Sequence, residues 1–119
     1  MTIDKQLEGA ARIVPRHQFE VRFKIEIERP EGTLATEGWA RDLSESGLGA
    51  FVAKELLVGE LATLRIPFPD GIELVIPAKV TRSLGTQYGF QFTALSLAQR
   101  KEILRVLAKS EAIPYTPLV

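Results

Sequence analysis

A long alternation of apolar and polar side chains near the N-terminal end constrains the fold more than any other feature. The apolar residues are Phe19, Val21, Phe23, Ile25 and Ile27. They alternate with the polar residues Glu20, Arg22, Lys24, Glu26 and Glu28. A period of two places successive side chains on opposite faces of a β-strand. We therefore expect a half-buried strand, which requires a sheet and an apolar interior to cover its apolar face.

Further short apolar runs, separated by turn residues, predict five more strands. These runs span 34–43, 48–53, 61–67, 72–82 and 87–92. Pro69, Asp70 and Gly71 predict a hairpin turn in which glycine is available for a positive φ, and Gly85 interrupts the pattern before the last strand. Several short strands at this spacing indicate an antiparallel barrel or sandwich.

One helix is expected after the strands. Ser96 and Gln99 have the spacing of a capping box, in which each side chain bonds the backbone N–H of the other residue. Apolar residues then recur at helical spacing, at Leu97, Ile103, Leu104 and Leu107. This stripe predicts a helix that covers part of the β-structure with one face.

The chain is long enough for one domain and too short for two, at 119 residues. Residues 1–17 lack clean periodicity, so we expect a flexible N-terminal arm there. The folded domain is expected to span 18–110. The segment 111–119 contains two prolines and is expected to be irregular.

Composition excludes several classes of protein. The 15 basic residues balance the 15 acidic ones, which argues against charge-driven binding of a nucleic acid polymer. Because there is no cysteine, disulfides and thiolate chemistry are excluded. We find no secretory start and no apolar stretch of transmembrane length, so we expect a cytoplasmic protein without membrane insertion. No motif for a nucleophile or a metal stands out, so we expect neither an enzyme nor a cofactor.

Two arginines, Arg12 and Arg16, lie four residues apart in the N-terminal arm. Pro15 disfavours a helix through the preceding residue, so the pair is expected in a loop. By itself this is a weak signal, since a solvated basic arm would also contain such a pair.

A more specific motif, D-x-S-x-x-G, is formed by Asp42, Ser44 and Gly47. One interpretation is structural: Asp42 or Ser44 bonds nearby backbone N–H groups in a turn, and Gly47 supplies a positive φ. The other interpretation is a ligand site, which the arginine pair upstream favours.

The order and spacing of these motifs resemble the PilZ domain family over about residues 11–107. The resemblance includes the arginine pair, the D-x-S-x-x-G motif after a strand and a return strand, and an aromatic-glycine-aromatic strand at Tyr88, Gly89, Phe90 and Phe92. It implies an all-β fold, a six-stranded antiparallel PilZ-type β-barrel with one C-terminal α-helix. Ala11 is a departure, because many members have a further basic residue there.

The resemblance also implies a non-catalytic receptor for the bacterial second messenger cyclic di-GMP. The expected ligand-binding residues are Arg12, Arg16, Asp42, Ser44 and Gly47, with Arg82, late on the fifth strand, as a further contact. An arginine fork suits the O6/N7 edge of guanine or a phosphate, and its plane can stack on a purine. A carboxylate suits the N–H groups of guanine's Watson–Crick edge. Arg41, next to Asp42 on a strand, is expected to point away from the site.

Other functions remain open at this point. A PilZ-like protein-interaction adaptor that does not bind nucleotide is one, and a small nucleic-acid-binding barrel is another. The aromatic residues could form a base-stacking platform, although core packing is favoured because most alternate with polar neighbours. These residues are Trp39, Phe51, Phe68, Tyr88, Phe90 and Phe92.

The expected signal is an ordering of the N-terminal arm by the ligand, with a change of interaction surface for a downstream protein effector. The C-terminal helix is the candidate output surface. Its exposed face is expected to be basic, with Arg100, Lys101, Arg105 and Lys109 against Glu102.

Overall fold

The computed structural model describes residues 15–110, which form six strands and one helix. The elements are β1 (His17–Arg29), β2 (Gly32–Leu43), β3 (Gly47–Val52), β4 (Leu61–Phe68), β5 (Ile72–Leu84), β6 (Gln87–Phe92) and α1 (Leu97–Lys109). A single 3-10 turn, Pro69–Gly71, joins β4 to β5. All six predicted strands and the predicted helix are therefore present.

The strands close into one antiparallel barrel in the order β1-β2-β3-β6-β5-β4, with β4 pairing back to β1. This confirms the barrel and excludes the sandwich. Closure pairs each strand on both sides, so the outer wall is held by backbone hydrogen bonds around the barrel.

The barrel interior is filled by alternate residues of the strands, as the period-two pattern predicts. Its largest fully buried side chains include Phe23, Ile25, Ile27, Leu64, Ile66, Ile76 and Val80. At the start of β1, Phe19 and Val21 are half-buried and pack against the edge of this core. The Phe19 ring lies 5.2 Å from that of Phe68. Removal of this apolar surface from water is the main stabilising contribution to the barrel.

Helix α1 begins at the predicted capping box. The Ser96 hydroxyl accepts from the Gln99 backbone N–H, and the Gln99 side chain accepts from the Ser96 N–H, both at 3.0 Å. The buried face consists of Ile103, Val106 and Leu107. The predicted stripe was wrong at two positions, since Leu97 is 70% exposed and Leu104 40% exposed. Val106, which the predicted stripe did not include, is buried instead, so the buried face of the helix is centred differently from the predicted one.

The exposed face of α1 is less basic than expected. The Arg105 guanidinium contacts Glu102 on the helix and lies 3.3 Å from the Asp70 carboxylate in the turn after β4. Arg100 lies 3.6 Å from Glu45. Two of the four basic residues are thus partly neutralised. No helix within residues 15–110 is long and apolar enough to cross a membrane.

Candidate functional site

A row of four register partners crosses the outer wall of the barrel, and we call it the glycine row. It runs from Asp42 on β2 through Gly49 on β3 and Gly89 on β6 to Arg82 on β5. Its two central residues have no side chains, while its ends have a carboxylate and a guanidinium. The row therefore forms a trough on the barrel wall with an acceptor at one end and a fork of donors at the other.

The glycines of this row allow the charged side chains to lie against the sheet. A Cβ at Gly49 would lie 2.8 Å from Asp42 Oδ2, and a Cβ at Gly89 would lie 3.2 Å from Arg82 Cβ and 3.4 Å from its Nε. Any larger residue at Gly49 would push the carboxylate away. The sequence contained a signal that we did not use, namely glycine inside two predicted strands, where it often marks close approach of another group.

Two irregularities in strand pairing direct side chains toward the site. The register shifts between Ala40 and Asp42 on β2 and between Val80 and Arg82 on β5. Such a bulge breaks strict alternation, so neighbouring residues can face the same way. Arg41 and Asp42 consequently line one cavity. The expectation that Arg41 points away from the site was wrong, because it assumed an unbroken strand.

The main cavity has a volume of about 460 Å³. It is lined by Arg16, Arg41, Asp42, Gly49, Ala50, Phe51, Arg82, Leu84, Gln87 and Tyr88. A side cavity of about 320 Å³ shares Arg16, Asp42, Gly49 and Arg82 with it and extends to Ser44 and Gly47. The structure thus brings five of the six predicted site residues to one pair of adjoining cavities.

Arg16 reaches the site from the residue immediately before β1. Its Nη1 lies 3.8 Å from Asp42 Oδ2, and the two side chains are 49% and 18% exposed. A long, partly exposed pair of this kind contributes roughly 0–1 kcal/mol, so a ligand can displace it at small cost. Arg12, the sixth predicted residue, lies outside the described residues.

Ser44 and Gly47 form the turn between β2 and β3. The Ser44 hydroxyl accepts from the backbone N–H groups of Ser46 and Gly47, each at 3.2 Å, and the Ser44 N–H donates to the Gly47 carbonyl at 2.9 Å. The turn role that we considered for Ser44 is therefore present. The hydroxyl also donates to the Gly47 carbonyl oxygen, in a long bond of 3.4 Å.

Gly47 is required for a different reason from the one we expected. The described glycines with positive φ are Gly32, Gly59, Gly71 and Gly85. Gly47 has no such φ, so the prediction of a left-handed conformation was wrong. A Cβ at this position would instead collide with the carbonyl oxygen of Phe90 on β6. The glycine is needed because two backbones approach closely there.

The aromatic residues separate into two groups. Four of them, Phe68, Tyr88, Phe90 and Phe92, belong to the buried core, as favoured from the sequence. Trp39 is 40% exposed, and Phe51 is half-buried and lines the main cavity. On this outer wall the guanidinium carbon of Arg22 lies 5.8 Å from the Trp39 ring centroid, and that of Arg41 lies 4.9 Å from the Phe51 ring centroid. The core interpretation was therefore wrong for Trp39 and incomplete for Phe51.

The site is strongly basic on a chain of zero net charge. Three guanidinium groups, from Arg16, Arg41 and Arg82, line the main cavity together with the Asp42 carboxylate. Such an arrangement suits a flat anionic ligand that also presents N–H donors to a carboxylate. Within residues 15–110, no three acidic or histidine side chains come together as metal ligands would.

Comparison with known proteins identifies the fold. No curated protein matches the chain at a significant level. The chain is similar to the PilZ domain of CeSA from a cellulose-synthesizing bacterium, with a TM-score of 0.62 and 22% identity over 78% of this chain and 94% of that one. It is also similar to the PilZ domain with cyclic di-GMP of YcgR from Escherichia coli, with a TM-score of 0.64 and 14% identity over 82% and 88% of the two chains.

A longer protein matches as well, the inhibitor of motility MotI/DgrA of Bacillus subtilis. Its TM-score is 0.64 at 18% identity, over 82% of this chain and 52% of that one. At these identities the structural matches show the fold. The family is shown by a sequence model described as the PilZ domain, which matches residues 10–109. The chain therefore belongs to the PilZ domain family.

Proposed function

We propose that this chain is a non-catalytic receptor for cyclic di-GMP. The observation that supports this most is the convergence of Arg16 and the two charged ends of the glycine row, Asp42 and Arg82, on one cavity. Two of these residues come from motifs far apart in the sequence, and the fold brings them within 3.8 Å. A solvated basic arm would have no reason to lie against the D-x-S-x-x-G motif.

Each group has a role that the chemistry of the ligand suits. The Asp42 carboxylate accepts from the N–H groups of a guanine base, and Arg16 and Arg82 donate to its O6/N7 edge or to a phosphate. The Ser44 hydroxyl, which lines the side cavity, would exchange its long bond to the Gly47 carbonyl for a bond to a ligand oxygen. Gly47 and Gly49 let the ligand approach the sheet.

Arg12 is proposed as the second arginine of the clamp. It lies four residues before Arg16, so its Cα is at most about 14 Å from that of Arg16 along an extended chain. This reach is enough to bring it over the ligand. Binding would then order the N-terminal arm across the cavity, at a conformational cost of about 1 kcal/mol per residue that charge-assisted bonds offset.

The output of this ordering is a changed surface for a downstream protein effector. The His17 ring Nδ1, next to Arg16, lies 3.4 Å from the carbonyl oxygen of Ser110 at the end of α1. An arm fixed over the cavity would therefore add new surface beside the end of this helix. An effector could read that surface.

The proposal is tested by isothermal titration of the purified protein with cyclic di-GMP, cyclic di-AMP, GTP and GMP. We expect binding of cyclic di-GMP to be clearly tightest, because adenine presents an N6 donor where guanine has the O6 acceptor of an arginine fork. Equal binding of cyclic di-AMP would contradict the guanine-reading role of the site. No heat with cyclic di-GMP would contradict the proposal and favour the adaptor that binds no nucleotide.

A further inference from the structure

We propose that Arg41, backed by the ring of Phe51, is a base-stacking position for the second guanine of the ligand. This inference rests on the proposed binding of cyclic di-GMP. It assigns a binding role to a residue outside both sequence motifs. Arg41 is exposed on the outer wall of the barrel, where a ligand can reach it.

The pairing of Arg41 with Phe51 is the first observation. The bulge on β2 turns Arg41 to the side of Asp42, and its guanidinium carbon lies 4.9 Å from the Phe51 ring centroid, over the ring. Both residues line the main cavity. A guanidinium in this position can present one face to the ring, and its other face would then be available to a flat ligand group.

The second observation is the division of the main cavity into two chemical regions. One region has the charges of Asp42 and Arg82. The other region is lined by Phe51, Gln87 and Leu84, which are register partners on β3, β6 and β5. Leu84 is 76% exposed there. A cyclic dinucleotide has two bases, and the single carboxylate at the charged end can read the edge of one. The second base requires a plane to stack on, and Arg41 over Phe51 provides it.

The barrel contains a matched control for this arrangement. Arg22 lies over Trp39 at 5.8 Å, and Trp39 is the register partner of Phe51 on the same outer wall. Arg22 and Trp39 line a neighbouring groove that Phe51 also borders, and neither of the two lines the main cavity. Replacement of Arg22 removes the same charge and the same kind of contact without touching the proposed stacking position.

The test is calorimetric titration of cyclic di-GMP into the wild type and the variants Arg41→Ala, Arg41→Lys, Phe51→Leu and Arg22→Ala. We expect a roughly ten- to hundredfold increase of Kd for Arg41→Ala, the range that follows from the stacking of one base. Arg41→Lys keeps the charge but has no plane, so it should bind within about threefold of Arg41→Ala. Phe51→Leu should have a smaller effect in the same direction, and Arg22→Ala should bind like the wild type.

The outcomes separate this inference from the proposed function. If the wild type binds cyclic di-GMP and Arg41→Ala binds equally well, the stacking position is wrong and the receptor function stands. Equal losses for Arg41→Ala and Arg22→Ala, or full recovery with Arg41→Lys, would show a general effect of charge and would also overturn it. If the wild type itself does not bind, the proposed function fails and this inference fails with it. Melting temperatures without ligand verify that each variant is folded.

Discussion

At the scale of single residues, the site depends on the absence of side chains as much as on their presence. Gly49 and Gly89 let Asp42 and Arg82 lie against the sheet, and Gly47 lets two backbones approach. In none of these cases is positive φ the requirement. The requirement is space, and the atoms that occupy that space differ among the three positions. Substitution by alanine is therefore expected to have different consequences at the three positions.

Alanine at Gly47 should destabilise the protein, whereas alanine at Gly49 should mainly weaken ligand binding. At Gly47 the new Cβ meets the backbone of Phe90, which cannot move without disturbing β6. We expect a loss of about 1–3 kcal/mol in the free energy of unfolding, as for other overpacked sites. At Gly49 it meets the Asp42 carboxylate, a side-chain end that can rotate away at the expense of the site.

Urea denaturation and ligand titration of both variants provide the comparison. Gly49→Ala should unfold near the wild-type midpoint and lose affinity for cyclic di-GMP. If Gly47→Ala were as stable as Gly49→Ala, the close approach of β3 and β6 would not constrain the sequence as we describe.

Replacement of Arg16 or Asp42 by alanine should weaken cyclic di-GMP binding without unfolding the protein. Loss of one charge-assisted hydrogen bond costs about 1.5–3 kcal/mol, which is roughly ten- to a hundredfold in Kd. We expect the same for Arg12. Arg100→Ala is the control, because Arg100 is 57% exposed and lies 3.6 Å from Glu45, a pair of similar character away from the main cavity. Wild-type affinity in Arg16→Ala would remove this arginine from the site.

At the scale of elements, a bidentate ion pair joins the loop between β3 and β4 to the end of β1. Arg29, at the end of β1, donates to both carboxylate oxygens of Glu60 at 2.8 Å, and to the Glu55 carbonyl at 3.1 Å. Glu60 also accepts from the Leu57 N–H at 2.8 Å. These bonds, chiefly those from Arg29, lower the pKa of the Glu60 carboxyl below its ordinary value. This ionised group ties the loop to the end of β1, beside the bonds of the Leu56 N–H to the Tyr88 hydroxyl and of the Gly59 N–H to the Val80 carbonyl.

This pair predicts how stability depends on pH. A carboxyl whose pKa is lowered on folding stabilises the protein fully above its unfolded pKa, and the contribution is lost as pH falls through the folded pKa. Glu60→Gln should therefore lower the melting temperature at neutral pH. The difference from the wild type should shrink as the pH falls below the ordinary pKa of a glutamate.

Thermal denaturation from neutral pH down to about pH 3 measures this difference. Glu26→Gln is the control, since Glu26 is 42% exposed and lies 3.7 Å from Arg65 in a loose pair. A wild-type advantage over Glu60→Gln that is the same at every pH would contradict the role of the ionised carboxyl.

The proposed ordering of the N-terminal arm predicts that cyclic di-GMP protects the arm from trypsin. Trypsin should cut after Arg12 rapidly in the free protein and slowly with saturating cyclic di-GMP, because the ligand is proposed to fix the arm over the cavity. Cleavage after Arg22 should be slow in both states, since this bond lies within β1. An unchanged rate after Arg12 in a protein that binds ligand would exclude arm closure as the mechanism.

The sequence predicted the elements well because each has a local cause. The alternation at Phe23, Ile25 and Ile27 gave β1, and the pair Ser96 and Gln99 gave the start of α1. The position of Arg41 could not be predicted in this way. A bulge depends on how two strands align, and period-two counting along one strand assumes that no such shift occurs. The register that joins Gly49 to Gly89 is likewise a property of strand pairing.

At the scale of the whole molecule, a chain of zero net charge presents one concentrated basic site on its closed barrel. The 15 positive and 15 negative charges balance, yet the main cavity collects three arginines against one aspartate. In the closed barrel every strand under this site is paired on both sides, so we expect the wall to move little when a ligand binds. The proposed receptor thus separates a rigid recognition surface from a short segment that responds. The family assignment and the fold are consistent with this division of roles.

The central claim is that cyclic di-GMP binds on the glycine row, and amide proton–nitrogen NMR spectra of the labelled protein test it most directly. A chain of 119 residues gives resolved spectra in which each amide reports its own surroundings. With saturating cyclic di-GMP we predict the largest shifts at Gly47, Gly49 and Gly89, and small ones at Ile103 and Val106 in the buried face of α1. Unchanged spectra, or shifts concentrated on α1 with the three glycines unaffected, would contradict the account.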